Sequence, residues 1–180
     1  MPWWAWVVVG ALVGVTLLFN TMIRRKNAVA FAFAAIDVML KKRYDLIPNL
    51  VTICKTHMDY ERSVLAEITA LRAKALDSKG DETIEVNGKL SGRLGRLMAL
   101  AESYPQLKAS ESFDALRRSL NEVEDQIAAA RRAYNAAVLA YNNGCEMFPT
   151  SLLALAMHYS TRKTFEIEDA ERAPVKVFGS

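Results

Sequence analysis

The feature that most constrains this chain is a run without charge at its start. From Trp3 to Ile23 every residue is apolar or uncharged, with only Gly10, Gly14, Thr16, Asn20 and Thr21 among the apolar side chains. As a helix, about 21 residues rising 1.5 Å each cover about 31 Å, the thickness of a bilayer's hydrocarbon core. Trp3, Trp4 and Trp6 stand at one end as an aromatic belt, and Arg24, Arg25 and Lys26 close the other. A cleaved signal peptide would need cations before its apolar core and a small-residue cleavage site after it; this chain has neither. The nearby cations all follow the run, so the expected orientation puts the N-terminus outside and the remainder in the cytoplasm of a bacterial cell, anchored in the inner membrane.

The remaining composition allows one further domain. The 180 residues are 52% hydrophobic and 24% charged, with a net charge of +3 that is too small to suggest a nucleic-acid partner. Cys54 and Cys145 read as reduced core residues of a cytosolic domain. Phosphate-binding glycine loops, nucleophile elbows and Cys-x-x-Cys pairs are not found in the sequence.

Helical periodicity dominates. Phe113, Leu116, Leu120, Val123, Ile127, Ala130, Tyr134, Ala137 and Tyr141 recur at alternating steps of 3 and 4, a heptad seam. Ser110 is the expected N-cap, and Gly144 and Pro149 mark the end. A second seam, Phe33, Ile36, Leu40, Tyr44, Ile47, Val51, Cys54 and Met58, is expected to continue through Leu65, Ile68, Arg72 and Ala75 on one helix. The membrane helix therefore runs into the domain without a linker, with a kink expected at Pro48. Asp77 to Gly88 reads as the main connection, Lys89 to Tyr104 as a shorter helix, and the residues after Pro149 as a short helix capped by Thr150 or Ser151. The expected fold is all-α: a transmembrane helix continuing into an antiparallel up-down four-helix bundle. Its expected parts are an anchor at 1–23, a bundle at 24–162 and an extended tail at 163–180.

The stretches "AFAAIDVMLKKRYDLIPNLV" (32–51), "ESYPQLKASESF" (102–113), "IAAARRAYNAAVLAYN" (127–142) and "FP" (148–149) resemble the LemA family of bacterial membrane proteins. The resemblance implies one N-terminal transmembrane helix and a cytoplasmic antiparallel bundle of unestablished molecular function. Family members are discussed together with membrane-embedded metallopeptidases. The chain departs from the family's usual residues in three places: Met39 stands for a Gln, Glu124-Asp125-Gln126 for Glu-Asn-Arg, and His158-Tyr159 for Gly-Phe.

Candidate chemistry clusters around 37–49. Asp37, Lys41 and Asp45 are spaced i,i+4, and such pairs contribute only about 0.2–0.5 kcal/mol each. Their company with Arg43, Pro48 and Asn49 beside the seam favours a partly buried polar cluster over a solvated face. Tyr134-Asn135 and Tyr141-Asn142 repeat at seven residues. Asn135 and Asn142 are read as polar residues that fix helix register, with Arg131 or Arg132 the expected partner of Asp37 or Asp45. Cys54, His57 and Glu61, completed by Cys145 or His158, would be the only metal set, but their spacing matches no zinc pattern and the core reading is preferred. Glu122 with Glu124, and Glu166 with Glu168, sit at i,i+2 and do not face each other on a helix. Arg24, Arg25 and Lys26 lie at headgroup level. Lys41, Lys42 and Arg43 stand about 26 Å from the surface on an upright helix, beyond a Debye length of about 8 Å. The expectation is a non-enzymatic scaffold or interaction protein without cofactor, whose partners are the bilayer and a protein or a second copy of itself. The alternatives are an accessory subunit of a membrane protease or transporter, and a ligand- or metal-binding sensor.

Overall fold

A computed structural model describes residues 2–58, 61–78 and 81–165. Among them there are six helices and no strand: α1 (Trp3–Lys55), α2 (Arg62–Asp77), α3 (Asp81–Ala101), α4 (Pro105–Lys108), α5 (Glu111–Glu146) and α6 (Thr150–Ala156). The expected all-α class is what the chain adopts.

α1 is one helix of 53 residues. Its first part is long and apolar enough to cross a membrane, and almost none of it is covered by the rest of the chain. Thr16 and Thr21 each donate a hydroxyl hydrogen bond to the carbonyl four residues back, on Leu12 and Leu17, at 2.8 Å. Their polarity is thereby satisfied inside the helix, as a hydrocarbon environment demands. The helix runs through Pro48 without ending there. Proline has no N–H to give to the carbonyl of Tyr44. Arg72 of α2 supplies the missing donor, its Nε lying 2.7 Å from that oxygen.

Three expected boundaries move. The seam through Met58, Leu65 and Ile68 is not one helix: α1 stops at Lys55 and α2 starts at Arg62. Met58 and Leu65 are seven residues apart, so a turn at that point preserves the heptad interval and hides in the periodicity. α3 begins at Asp81, well before Lys89. The acidic, turn-like stretch after residue 80 is its first turns, where carboxylates suit the positive end of the helix dipole. Finally, α6 has Pro149 at its N-cap and no side-chain cap; Thr150 Oγ1 instead donates to the carbonyl of Met147 at 3.0 Å. Ser110 does cap α5, accepting from the Phe113 N–H at 3.4 Å.

The chain divides into two compact units. Asp37–Ala128 forms one. Its interior holds Leu40, Tyr44, Ile47, Leu50 and Cys54 from α1, Leu65 and Ile68 from α2, Leu90, Leu94 and Leu97 from α3, and Phe113, Leu120, Val123 and Ile127 from α5. α2 packs on α3. The other unit joins Met1–Ile36 to Ala129–Ser180. Its core is Met22 and Val29 of α1, Val138 and Tyr141 of α5 and Ala154 of α6, with Tyr134, Ala137, Cys145 and Tyr159 packed around them. The expected tail lies outside the described residues from 166 onward.

Candidate functional site

Two polar constellations are built on these helices, one in each unit. The first centres on Arg43. Leu40, Tyr44 and Ile47 of α1 face the interior of this unit, and Arg43, one residue before Tyr44, is carried in with them to complete burial. A buried guanidinium is costly unless its N–H groups are taken up. Its Nη1 donates to Ser91 Oγ at 2.7 Å and to Glu124 Oε2 at 2.9 Å, and its Nη2 to Asn87 Oδ1. The Tyr44 hydroxyl donates to the same Asn87 oxygen at 2.8 Å, while Asn87 Nδ2 donates to the carbonyl of Thr83 at 2.7 Å. Three helices thus meet at one cation. Of its nitrogens, Nε has no partner among the described residues. The Ser91 hydroxyl donates in turn to Glu124 Oε1 at 3.3 Å, and the arrangement holds a buried charge in place.

The second constellation lies on α5. Asn135 Nδ2 donates to the Phe165 carbonyl at 2.9 Å, and the Phe165 N–H donates back to Asn135 Oδ1 at 2.8 Å. Asn142 does the same with Arg162, at 2.9 Å in both directions. Each asparagine amide reads the backbone as a neighbouring strand would. The spacing explains why two succeed: seven helical residues rise about 10.5 Å, and three extended residues span about 10 Å. The tyrosine preceding each asparagine completes the grip. The Tyr134 ring meets that of Phe165 edge-on at 4.9 Å, and the Arg162 guanidinium sits 5.4 Å from the Tyr141 ring centre. The repeated Tyr-Asn pair is therefore a two-step clamp for an extended segment, Arg162 to Phe165. Asn135 and Asn142, expected to fix helix register, each direct one amide N–H and the amide oxygen at the backbone of this segment.

Of the residues expected to cluster, Arg43 is the buried centre of the first constellation. Asp45 is exposed and pairs with Lys41 at 3.7 Å. Asp37, Pro48 and Asn49 are also exposed; partial desolvation raises the Asp37 carboxyl. Arg131 is half-buried, with its Nε unpartnered among the described residues. Cys54, His57 and Glu61 do not share a helical face, since α1 ends at Lys55. Cys54 is fully buried, and burial pushes its thiol up to about 11. Trp3, Trp4 and Trp6 are exposed at the start of α1, and the Lys26 ammonium lies 4.8 Å from the Tyr159 ring centre. Tyr44, Arg72, Asn87, Ser91 and Glu124 were not expected at a site. Asn87 and Ser91 at i,i+4 would have signalled a polar step on a core-facing helix, but only had α3 been started before Lys89.

The LemA family profile matches residues 32–178. Magnetosome protein MamQ 2 of Paramagnetospirillum magneticum is 24% identical over 195 residues, covering 93% of this chain and 72% of that protein. Magnetosome protein MamQ of Magnetospirillum gryphiswaldense is 22% identical, covering 92% of this chain and 73% of its own. Protein LemA of Metamycoplasma hominis is 25% identical, covering 87% and 72% respectively. With an exposed apolar span at its start, an all-helical body and a family match over most of its length, this chain belongs to the LemA family.

Proposed function

We propose that this protein is a non-enzymatic, membrane-anchored interaction protein that holds an antiparallel helical bundle on the cytoplasmic face of the bacterial inner membrane, where it acts as a scaffold. The observation that carries this reading is α1: the helix long and apolar enough to cross the bilayer is the same uninterrupted helix that supplies Leu40, Tyr44, Ile47 and Leu50 to the interior. An enzyme needs no such continuity, whereas a protein that positions a surface at a fixed distance from a membrane does. The cations at 24–26 support the orientation. Self-association is supported by Gly10 and Gly14, which lie four residues apart in the span with open space beside both.

Crosslinking in native membranes followed by capture of a tagged chain tests the scaffold role. Crosslinks between copies, lost on Gly10→Leu with Gly14→Leu, are the expected result. A stoichiometric foreign protease or transporter subunit without self-crosslinks would overturn it in favour of an accessory subunit. For orientation, a cysteine at exposed Glu111 should resist an impermeant thiol reagent in intact cells and react once the cells are opened.

A further inference from the structure

Among the described residues of the unit that contains the span, several large apolar side chains outside the span are exposed, Phe31 and Leu139 among them, and four of these fall close together in sequence around the end of α5 and on α6. Met147 and Phe148, in the turn after α5, are 61% and 80% exposed; Leu152 and Leu155, on α6, are 62% and 75% exposed. Scattered singly, such residues mean little, but together they mark an apolar patch.

Their height relative to the membrane follows from contacts within that unit. Phe33 of α1 meets Tyr134 of α5 edge to face at 5.9 Å. Further along, Gly144 approaches α1 so closely that a Cβ there would lie 2.7 Å from Met22 Sδ and 2.8 Å from Arg25 Nη1. Residue numbers on α5 rise as those on α1 fall, so α5 descends towards the span. At Gly144 it is level with residues 22–25, where the apolar run gives way to Arg24, Arg25 and Lys26. α5 runs on only to Glu146, two residues or about 3 Å past Gly144, so the Met147–Phe148 turn that follows lies beside the end of the apolar run. α6 lies beside the stretch of α1 where the apolar run meets the cations, because its Ala154 packs in the cluster that holds Met22 and Val29, and Tyr159 just after it meets Lys26. Ala154 is buried while Leu152 and Leu155 face out. Apolar side chains at the height of the hydrocarbon edge, with cations one turn above, are the two requirements of an interfacial membrane contact.

We propose that the Met147–Phe148 turn and the outer face of α6 form a second membrane contact, seated in the leaflet from which α1 emerges. The proposal rests on α1 spanning the bilayer. Its occupant is lipid, because the patch is continuous in height with the end of the span, where Phe19 is itself exposed. One helix alone leaves tilt and rotation free; a second contact beside it restrains both.

The test uses the full chain in vesicles of phosphatidylethanolamine and phosphatidylglycerol. A Cys145→Ala background leaves Cys54 as the only native thiol, and that one is buried. An environment-sensitive dye is placed by F148C or L152C, with L12C in the span and E111C on α5 as references, and circular dichroism confirms helical folding of each. Nitroxide-bearing lipid should quench the dyes at 148, 152 and 12 several-fold more than that at 111, and aqueous iodide should do the reverse. Iodide quenching at 148 and 152 while the dye at 12 remains lipid-quenched would overturn the second contact and leave the span intact. Shielding from both quenchers at 148 and 152 would overturn it in favour of a second protein chain. Failure of lipid to quench at 12 would defeat the spanning reading, and this proposal with it.

Discussion

Arg72 is placed to repair a defect that Pro48 creates. Without a proline N–H the Tyr44 carbonyl would be buried and unpaired, and the Arg72 Nε fills that place at 2.7 Å. Arg72→Met in the otherwise native chain should therefore cost about 1–3 kcal/mol. In a Pro48→Ala background, where residue 48 regains its own donor, the same change should cost clearly less. Urea denaturation of the four proteins of this cycle measures the coupling, and additive costs would refute it. His158 is a second single-residue strain. Its φ is 52°, in the left-handed region, and it occupies the position after the C-cap of α6. The Tyr159 N–H reaches the Ala154 carbonyl at 2.9 Å and the His158 N–H the Leu155 carbonyl at 3.2 Å, the two bonds of a Schellman termination. A glycine, which the LemA resemblance implies at this place, would adopt that conformation freely. His158→Gly should raise stability by about 1 kcal/mol, read as an increase in the thermal midpoint.

At the scale of elements, α3 carries two glycines that packing does not require. A Cβ at Gly92 or Gly95 would meet nothing within 4 Å. Gly92→Ala and Gly95→Ala should each stabilise by about 0.5–1 kcal/mol, and an unchanged or lowered denaturation midpoint would refute this. The clamp on α5 makes a different kind of prediction. Four amide-backbone bonds hold Arg162 to Phe165 along the helix, each contributing about 0.5–1.5 kcal/mol. Asn135→Ala with Asn142→Ala should free this segment, so that trypsin cuts after Arg162 and Lys163 several-fold faster while the helical content stays the same. The repeat of Tyr-Asn at seven residues was legible in the sequence, and so was its sharing of one helical face. Its occupant was not, because a heptad interval fits a neighbouring helix and three residues of extended chain equally well.

For the molecule as a whole, stability in alkali reports on the interior of the unit formed by Asp37–Ala128. The unfolded Cys54 thiol ionises near 9.0, and burial holds the folded one to about 11. The unfolded state therefore loses its proton first. The contribution of this group is intact below pH 9 and disappears as the pH climbs through 11, about 2–3 kcal/mol in all. Cys54→Ala should flatten that part of the pH profile relative to the native chain, beyond its constant cost in packing; parallel profiles would place the thiol in contact with water. The sequence by itself determined the all-helical class, the apolar span and the continuity of the span with the first core helix. Each rests on local chemistry: uncharged length, a repeat of three and four, and the lack of any breaker between the cations and Pro48. Only the tertiary structure decided where the polar groups went. Arg43 finds Asn87, Ser91 and Glu124, Arg72 finds the carbonyl freed by Pro48, and Asn135 and Asn142 find the C-terminal segment. These partners lie 20 to 81 residues apart along the chain. A hydrogen bond is satisfied by any donor or acceptor brought within about 3 Å, and periodicity carries no information about which one that is.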